Sequence, residues 1–85
     1  MTELLPPDWR LQPRAEIAAN IRAELGRAKI PPADLTAILG LHRSSARDRY
    51  TGRTSYTAED IIALAARLDI PADTLLHITA GDGAR

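Results

Sequence analysis

The sequence predicts an all-α domain of about five helices, and three observations lead to this fold class. Apolar residues recur at three- and four-residue intervals in several segments, which is the spacing of one face of an α-helix. No segment alternates apolar and polar residues over enough positions to form a strand. Prolines and glycines separate the periodic segments, where they end one helix and open the next. A chain of 85 residues is the length of one domain with a small core.

Residues 1–13 predict an irregular N-terminal arm that packs on the helical body. Three prolines in this segment, Pro6, Pro7 and Pro13, prevent a regular helix through it. The segment is nevertheless too apolar for a free tail, since it contains Leu4, Leu5, Trp9 and Leu11. Trp9 is expected to anchor the arm, with a partner-binding surface as the alternative role.

The first helix is predicted to follow this arm directly. Pro13 suits the first turn of a helix for two reasons. Its fixed φ is close to the helical value, and N–H groups in the first turn have no acceptor within the helix, so a residue without an N–H loses no hydrogen bond there. The inner stripe of that helix is formed by Ile17, Ile21, Leu25 and Ala28. We expect the helix to end between residues 27 and 29, the domain to span residues 14–80, and residues 81–85 to form a flexible tail.

Two short helical patterns meet at Gly40. Leu35, Ile38 and Leu39 give the first an apolar face, and Pro32 is placed to open it. Glycine ends such a helix well because it adopts the left-handed conformation without strain. The second pattern, His42 to Tyr50, is polar and rich in arginine. Two helices joined by a short turn with glycine cross at a steep angle, so the second can project from the domain.

This segment resembles the Cro-like phage-repressor helix-turn-helix family, also called the XRE family, over about the last fifty residues. The resemblance rests on the run Leu35, Thr36, Ala37, Ile38, Leu39, Gly40, Leu41, followed by a polar helix. It implies a lambda-repressor-like domain and a sequence-specific regulator of transcription, with the second helix in the major groove of a double-stranded operator. The chain departs from the family pattern at Thr36, Pro32 and His42. It also has Arg49 where the family has an aliphatic residue, a packing role that Tyr50 can assume.

The surface of the second helix has side chains suited to base contacts. Arg43 and Arg47 lie on one stripe, where two like charges repel each other by roughly 0.2–0.5 kcal/mol unless an anion binds there. Ser44 and Asp48 form the neighbouring stripe. A guanidinium group can bind guanine O6 and N7 in bidentate fashion, a carboxylate can accept from cytosine N4, and a serine can reach a base or a phosphate. We therefore expect Arg43, Ser44, Arg47 and Asp48 to contact bases.

Contacts to the DNA backbone, or mixed contacts, are expected from five further residues: His42, Arg49, Arg53, Thr54 and Ser55. Such contacts position a protein on DNA without selecting a sequence. For His42 the alternative is a helix cap, and for Arg49 it is an aliphatic stem laid over the core. For the three loop residues it is an ordinary polar loop. Between His42 and Arg53 the chain has four arginines and one aspartate, so this region is locally basic although the formal net charge is zero.

The fourth helix has the clearest start signal in the chain. Thr57 followed three residues later by Asp60 resembles a capping box, and Tyr56 can pack against Ile61. The apolar stripe of this helix consists of Ile61, Leu64, Ala65 and Leu68. A turn through Asp69 to Pro71 then leads to a short fifth helix with Leu75, Leu76 and Ile78.

Other classes of protein lack support in the sequence. The chain has no cysteine, and His42 and His77 lack the spacing of metal ligands, so we expect no metal and no cofactor. There is no glycine-rich phosphate loop, no paired carboxylates and no nucleophile with a base, so an enzyme with a small-molecule substrate is not expected. No apolar run is long enough for a membrane span or a signal peptide, and we expect a protein of the bacterial cytoplasm.

Two hypotheses remain open after these exclusions. The first is the DNA-binding regulator described above, and the second is an antitoxin or another protein-binding module built on the same scaffold. We expect a monomer in solution that can pair as a homodimer on DNA, because one recognition helix contacts only a few base pairs.

Overall fold

The computed structural model describes residues 5–78, and within them the chain forms five α-helices, one short 3-10 helix and no strand. The predicted all-α class with five helices is confirmed. The helices are α1 (Leu11–Arg27), α2 (Leu35–Leu39), α3 (Arg43–Thr51), α4 (Ala58–Leu68) and α5 (Ala72–Leu76), with the 3-10 helix (Pro32–Asp34) directly before α2.

The boundary between the N-terminal arm and α1 lies earlier than the sequence predicted. α1 begins at Leu11, so Pro13 does lie in its first turn. Residues 5–10 are exposed, and Trp9 keeps 38% of its surface accessible. Trp9 nevertheless lines a cavity of about 260 Å³ with Ile17 and Tyr56. Leu4 and the predicted tail at 81–85 lie outside the described residues.

The core is formed mainly by α1, α2, α4 and α5. The largest fully buried side chains are Ile21 and Leu25 of α1, Leu35 of α2, Leu64 of α4 and Leu75 of α5. α3 contributes one small buried residue, Ala46, and packs its half-buried Tyr50 against the same cluster. Because Arg43, Ser44, Arg47 and Thr51 are exposed, one face of α3 is available to a partner.

The turn between α2 and α3 starts with the predicted geometry. Gly40 ends α2 with φ of 65°, in the left-handed conformation expected for it, and the N–H of Leu41 donates to the carbonyl of Thr36 at 3.1 Å. α3 then starts after His42 and ends at Gly52, which has φ of 85°. A Cβ atom at Gly52 would lie 3.5 Å from the Cβ of Ala18, so the end of α3 approaches α1 closely.

The start of α4 is a capping box, as predicted. The Asp60 N–H donates to Thr57 Oγ1 at 3.0 Å, and the Thr57 N–H donates to Asp60 Oδ2 at 3.0 Å. Two of the N–H groups that a helix leaves unpaired at its start are thereby satisfied. None of the helices between residues 5 and 78 combines the length and the apolar character that crossing a membrane requires.

Candidate nucleic-acid interface

The outer face of α3 carries the four side chains predicted to contact bases. Arg43, Ser44 and Arg47 are exposed, and Asp48 is half-buried. Within residues 5–78, the guanidinium groups of Arg43 and Arg47 have no hydrogen-bond or ion-pair partner. Both remain available to an external anion. Whether the four side chains contact bases stays a prediction.

His42 forms the N-terminal cap of α3, one of the two roles that the sequence left open. The Ser44 N–H donates to His42 Nδ1 at 3.4 Å, and Ser44 Oγ lies 3.2 Å from the same nitrogen. In the neutral ring an accepting Nδ1 leaves the proton on Nε2. Because His42 is exposed, that N–H can still donate to an external acceptor.

Arg49 is paired inside the protein. Its Nε atom donates to Asp60 Oδ2 at 2.8 Å, and its Nη1 atom donates weakly to the Ser45 carbonyl at 3.4 Å. The side chains of Arg49 and Asp60 are only 15% and 10% exposed. The same carboxylate therefore caps α4 and holds α3. This pairing makes Arg49 part of the contact between α3 and α4. The sequence predicted either a contact with the DNA backbone or an aliphatic stem laid over the core, and it did not predict this ion pair.

The loop after α3 is held in place by α1 and by the end of α3 itself. The N–H groups of Arg53 and Thr54 donate to the Asp48 carbonyl at 2.8 and 3.1 Å. From α1, Arg14 donates to the Arg53 carbonyl at 3.1 Å and to Ser55 Oγ at 3.2 Å. Arg53, Thr54 and Ser55 are all exposed. The loop is thus fixed through its backbone and through the Ser55 hydroxyl, while the side chains of Arg53 and Thr54 are exposed.

A second arginine of α1 holds the last turn of α3. Arg22 donates from Nη1 to the Tyr50 carbonyl at 2.8 Å, and its guanidinium carbon lies 5.9 Å from the centre of the Tyr50 ring. A cation at a helix C-terminus also interacts favourably with the helix dipole. Sequence reasoning missed Arg14 and Arg22, because each is an ordinary surface residue of a helix until the tertiary fold brings α3 against it.

Tyr56 has a buried hydroxyl group without a hydrogen-bond partner among residues 5–78. Removal from water raises the pKa of this hydroxyl well above its ordinary value, because the charged phenolate is poorly solvated there. The charges of Arg22 and Asp60 act on it in opposite directions. The Tyr56 side chain is therefore uncharged and packs at the edge of the core.

No metal centre is visible in the part of the chain that the structure describes. Between residues 5 and 78, no three His, Cys, Asp or Glu side chains gather where they could hold a metal ion.

A comparison with protein families identifies the class of this domain. The model of the BetR domain matches residues 14–85, which include α2 to α5 and all of α1 except its first three residues. BetR is a helix-turn-helix-like DNA-binding domain, so the predicted DNA-binding class is confirmed. The narrower relation to Cro-like phage repressors stays a prediction. Neither a curated protein nor a solved structure matches the chain significantly.

Proposed function

Because the chain belongs to the BetR domain family, we propose that it is a transcriptional regulator that binds a specific double-stranded operator with α3 in the major groove. We further propose that it acts as a short repressor in the manner of phage Cro proteins, by occupying the operator and excluding polymerase or a rival repressor. One observation carries the proposal: two arginines that have no partner among residues 5–78, Arg43 and Arg47, lie on the exposed face of the helix that follows the Gly40 turn.

Base contacts are proposed for Arg43, Ser44, Arg47 and Asp48, and backbone contacts for His42, Arg53, Thr54 and Ser55. The division follows their positions. The first four lie along two turns of α3, a length of about 11 Å that fits a major groove about 12 Å wide. The others flank α3 at its two ends, where the phosphates of a duplex pass a helix inserted in the groove. We leave Arg49 out of this set, since Asp60 already binds its guanidinium group.

We also propose that the protein is a monomer in solution and pairs as a homodimer on DNA. A single recognition helix contacts too few base pairs for selective binding, and a two-fold dimer doubles the contacts on half-sites about one helical turn apart. Sedimentation at micromolar concentration, with and without a duplex that holds two half-sites, measures both states.

Selection of bound duplexes from a random pool tests the proposed function. The full chain should enrich one sequence motif, and the double variant Arg43→Ala/Arg47→Ala should enrich none. Arg67→Ala is the matched control, because Arg67 is an exposed arginine in the last turn of α4. It removes one positive charge outside α3 and should leave enrichment intact. Circular dichroism of each variant verifies the fold.

Two results would count against the regulator hypothesis. If the full chain enriched no motif, or if the double variant enriched the same motif as the full chain, α3 would not be the recognition element. The antitoxin or protein-binding alternative predicts a partner protein bound with little dependence on salt, whereas contacts with phosphates weaken steeply as salt rises.

A further inference from the structure

An open groove runs between α3 and the segment that contains the 3-10 helix and α2. Its volume is about 850 Å³. Ala33 and Thr36 line one side, Leu41 and Ala46 lie at its base, and Arg43 and Arg47 lie along its outer edge. Ala46 is buried and Leu41 is half-buried, whereas the two arginines are exposed. The groove therefore has an apolar base and a cationic rim.

This combination restricts what can occupy the groove. The rim favours an anionic partner, because Arg43 and Arg47 are exposed and have no counter-charge among residues 5–78. The apolar base disfavours a phosphate or another strongly polar group, which would lose water there without gaining a hydrogen bond. An occupant that satisfies both conditions is a polyanion that presents a small apolar group between its charged parts.

Double-stranded DNA has such a group in its major groove. The 5-methyl group of thymine is the one apolar substituent that the base edges present there, and alanine and the methyl group of threonine are suited to contact it. Arg43 and Arg47 are one helical turn, about 5.4 Å, apart along α3, whereas base pairs rise by about 3.4 Å. If both arginines contact guanines, those guanines lie one or two base steps apart, and a neighbouring thymine can face the groove.

We propose that the groove between α2 and α3 receives the 5-methyl group of a thymine next to the guanines that Arg43 and Arg47 contact. The inference rests on the proposed function and adds a feature of the operator to it. It predicts that each half-site contains guanine together with a thymine no more than two base pairs away, and that the thymine is selected through its methyl group.

Replacement of thymine by deoxyuridine tests this inference, because it removes the methyl group and leaves base pairing unchanged. The probes are copies of the selected duplex with one thymine replaced at a time, titrated with the full chain. At the thymine beside the guanines, affinity should fall about fourfold, the effect of one buried methyl group. Thymines outside the half-sites should show no change.

A variant of the groove tests whether that methyl group lies where we propose. Ala33→Asn adds a polar side chain at an exposed position of the groove wall. In this variant the ratio of the affinity for the thymine duplex to that for the deoxyuridine duplex should fall nearly to one. Ala19→Asn is the matched control, since Ala19 is exposed on α1 and does not line the groove. The control should keep the fourfold preference.

The possible failures are distinguishable from one another. If the chain enriches a motif but no thymine in it responds to deoxyuridine, the groove inference is wrong and the proposed function stands. If Ala33→Asn loses as much affinity as the wild type when thymine is replaced by deoxyuridine, the methyl group contacts another part of the protein. The inference is then also wrong. If the chain enriches no motif at all, the proposed function and this inference fail together.

Discussion

Five arginines of α1 and α3 divide into two groups by what their guanidinium groups contact. Arg14, Arg22 and Arg49 donate to acceptors within the protein and connect α3 and its loop to α1 and α4. Arg43 and Arg47 have no such acceptor among the described residues and are exposed. Substitutions in the first group should act through the fold, and substitutions in the second should act on DNA binding alone.

Substitution of Arg47 and of Arg53 should affect DNA binding in different ways. Arg47→Ala removes a proposed bidentate contact with a guanine, worth about 1–3 kcal/mol of discrimination, so preference for the selected duplex over other duplexes should be lost. Arg53→Ala removes a proposed phosphate contact and should weaken binding to all duplexes alike. Competition titrations with selected and scrambled duplexes measure both effects. Equal loss of both kinds of binding from either variant would contradict this division.

Tyr56 makes stability sensitive to alkaline pH. Burial raises its pKa in the folded state, so above about pH 10 the unfolded chain releases this proton while the folded chain retains it. The free energy of unfolding is therefore unaffected by this proton below about pH 10 and decreases as pH rises beyond that value. Tyr56→Phe should remove this part of the pH dependence.

At neutral pH the same variant should be at least as stable as the wild type, because it eliminates a buried hydroxyl that has no hydrogen-bond partner between residues 5 and 78. Urea unfolding of both proteins between pH 8 and about 11 measures the difference. A Tyr56→Phe protein with the wild-type pH profile would show that the hydroxyl is solvated.

At the scale of elements, α3 is held to the domain mainly through its C-terminal half. Its buried surface is small, but Arg22 holds the Tyr50 carbonyl, Asp60 holds Arg49, and Gly52 lies against α1. The N-terminal half, with Arg43 and Arg47, is free on its outer side. This arrangement fixes the direction of the helix and leaves its exposed face open.

The Arg49–Asp60 pair should contribute strongly to stability. Asp60→Ala leaves the largely buried Arg49 without its carboxylate and also removes a cap from α4. Removal of one partner of a buried pair costs about 3–5 kcal/mol, and loss of a helix cap about 1 kcal/mol. Since both groups keep some contact with water, we expect a loss near 3 kcal/mol in the free energy of unfolding, measured in urea.

Glu59→Ala is the matched control for this prediction. Glu59 is the adjacent acidic residue of the same first turn, but it is exposed. Its removal should change stability by no more than about 0.5 kcal/mol. If the two variants lost similar amounts of unfolding free energy, the Arg49–Asp60 pair would contribute no more to stability than an exposed acidic residue does.

Arg22→Ala should lower affinity for DNA without changing how affinity depends on salt. Arg22 is half-buried against the end of α3 and orients that helix. Because it does not contact a phosphate, its removal leaves the number of counterions released on binding unchanged. Arg53→Ala, in contrast, should make the slope of log K against log salt shallower by about 0.9. The comparison requires titrations at several salt concentrations. A slope change in Arg22→Ala as large as that in Arg53→Ala would place Arg22 on the DNA.

The sequence predicted the elements better than the contacts between them. Gly40 and the Thr57–Asp60 box are local signals, because glycine tolerates a positive φ and a capping box joins residues three apart. The pairing of Arg49 with Asp60 depends on how α3 crosses α4, and the contacts of Arg14 and Arg22 depend on how α1 crosses α3. The spacing of apolar residues along one helix does not specify how that helix crosses another. The apolar groove, likewise, is formed by residues from two separate segments.

At the scale of the whole molecule, charge is unevenly distributed although the formal net charge is zero. Arginines concentrate on α3 and its loop, and exposed acids such as Glu59, Asp69 and Asp73 lie on α4, at its end and on α5. A neutral protein with one basic face gains little from long-range attraction to DNA. Its affinity must therefore come from direct contacts on that face.

Salt dependence of binding to the selected duplex tests this account most directly. If the arginines that a homodimer brings to the duplex, Arg43, Arg47 and Arg53 of each protomer, displace about four to six counterions, log K should fall against log salt with a slope of roughly −4 to −5. Arg43→Ala/Arg47→Ala/Arg53→Ala should bind weakly with a much shallower slope. A flat dependence for the wild type, or an unchanged slope in the triple variant, would contradict the claim that α3 and its loop form the DNA-binding surface.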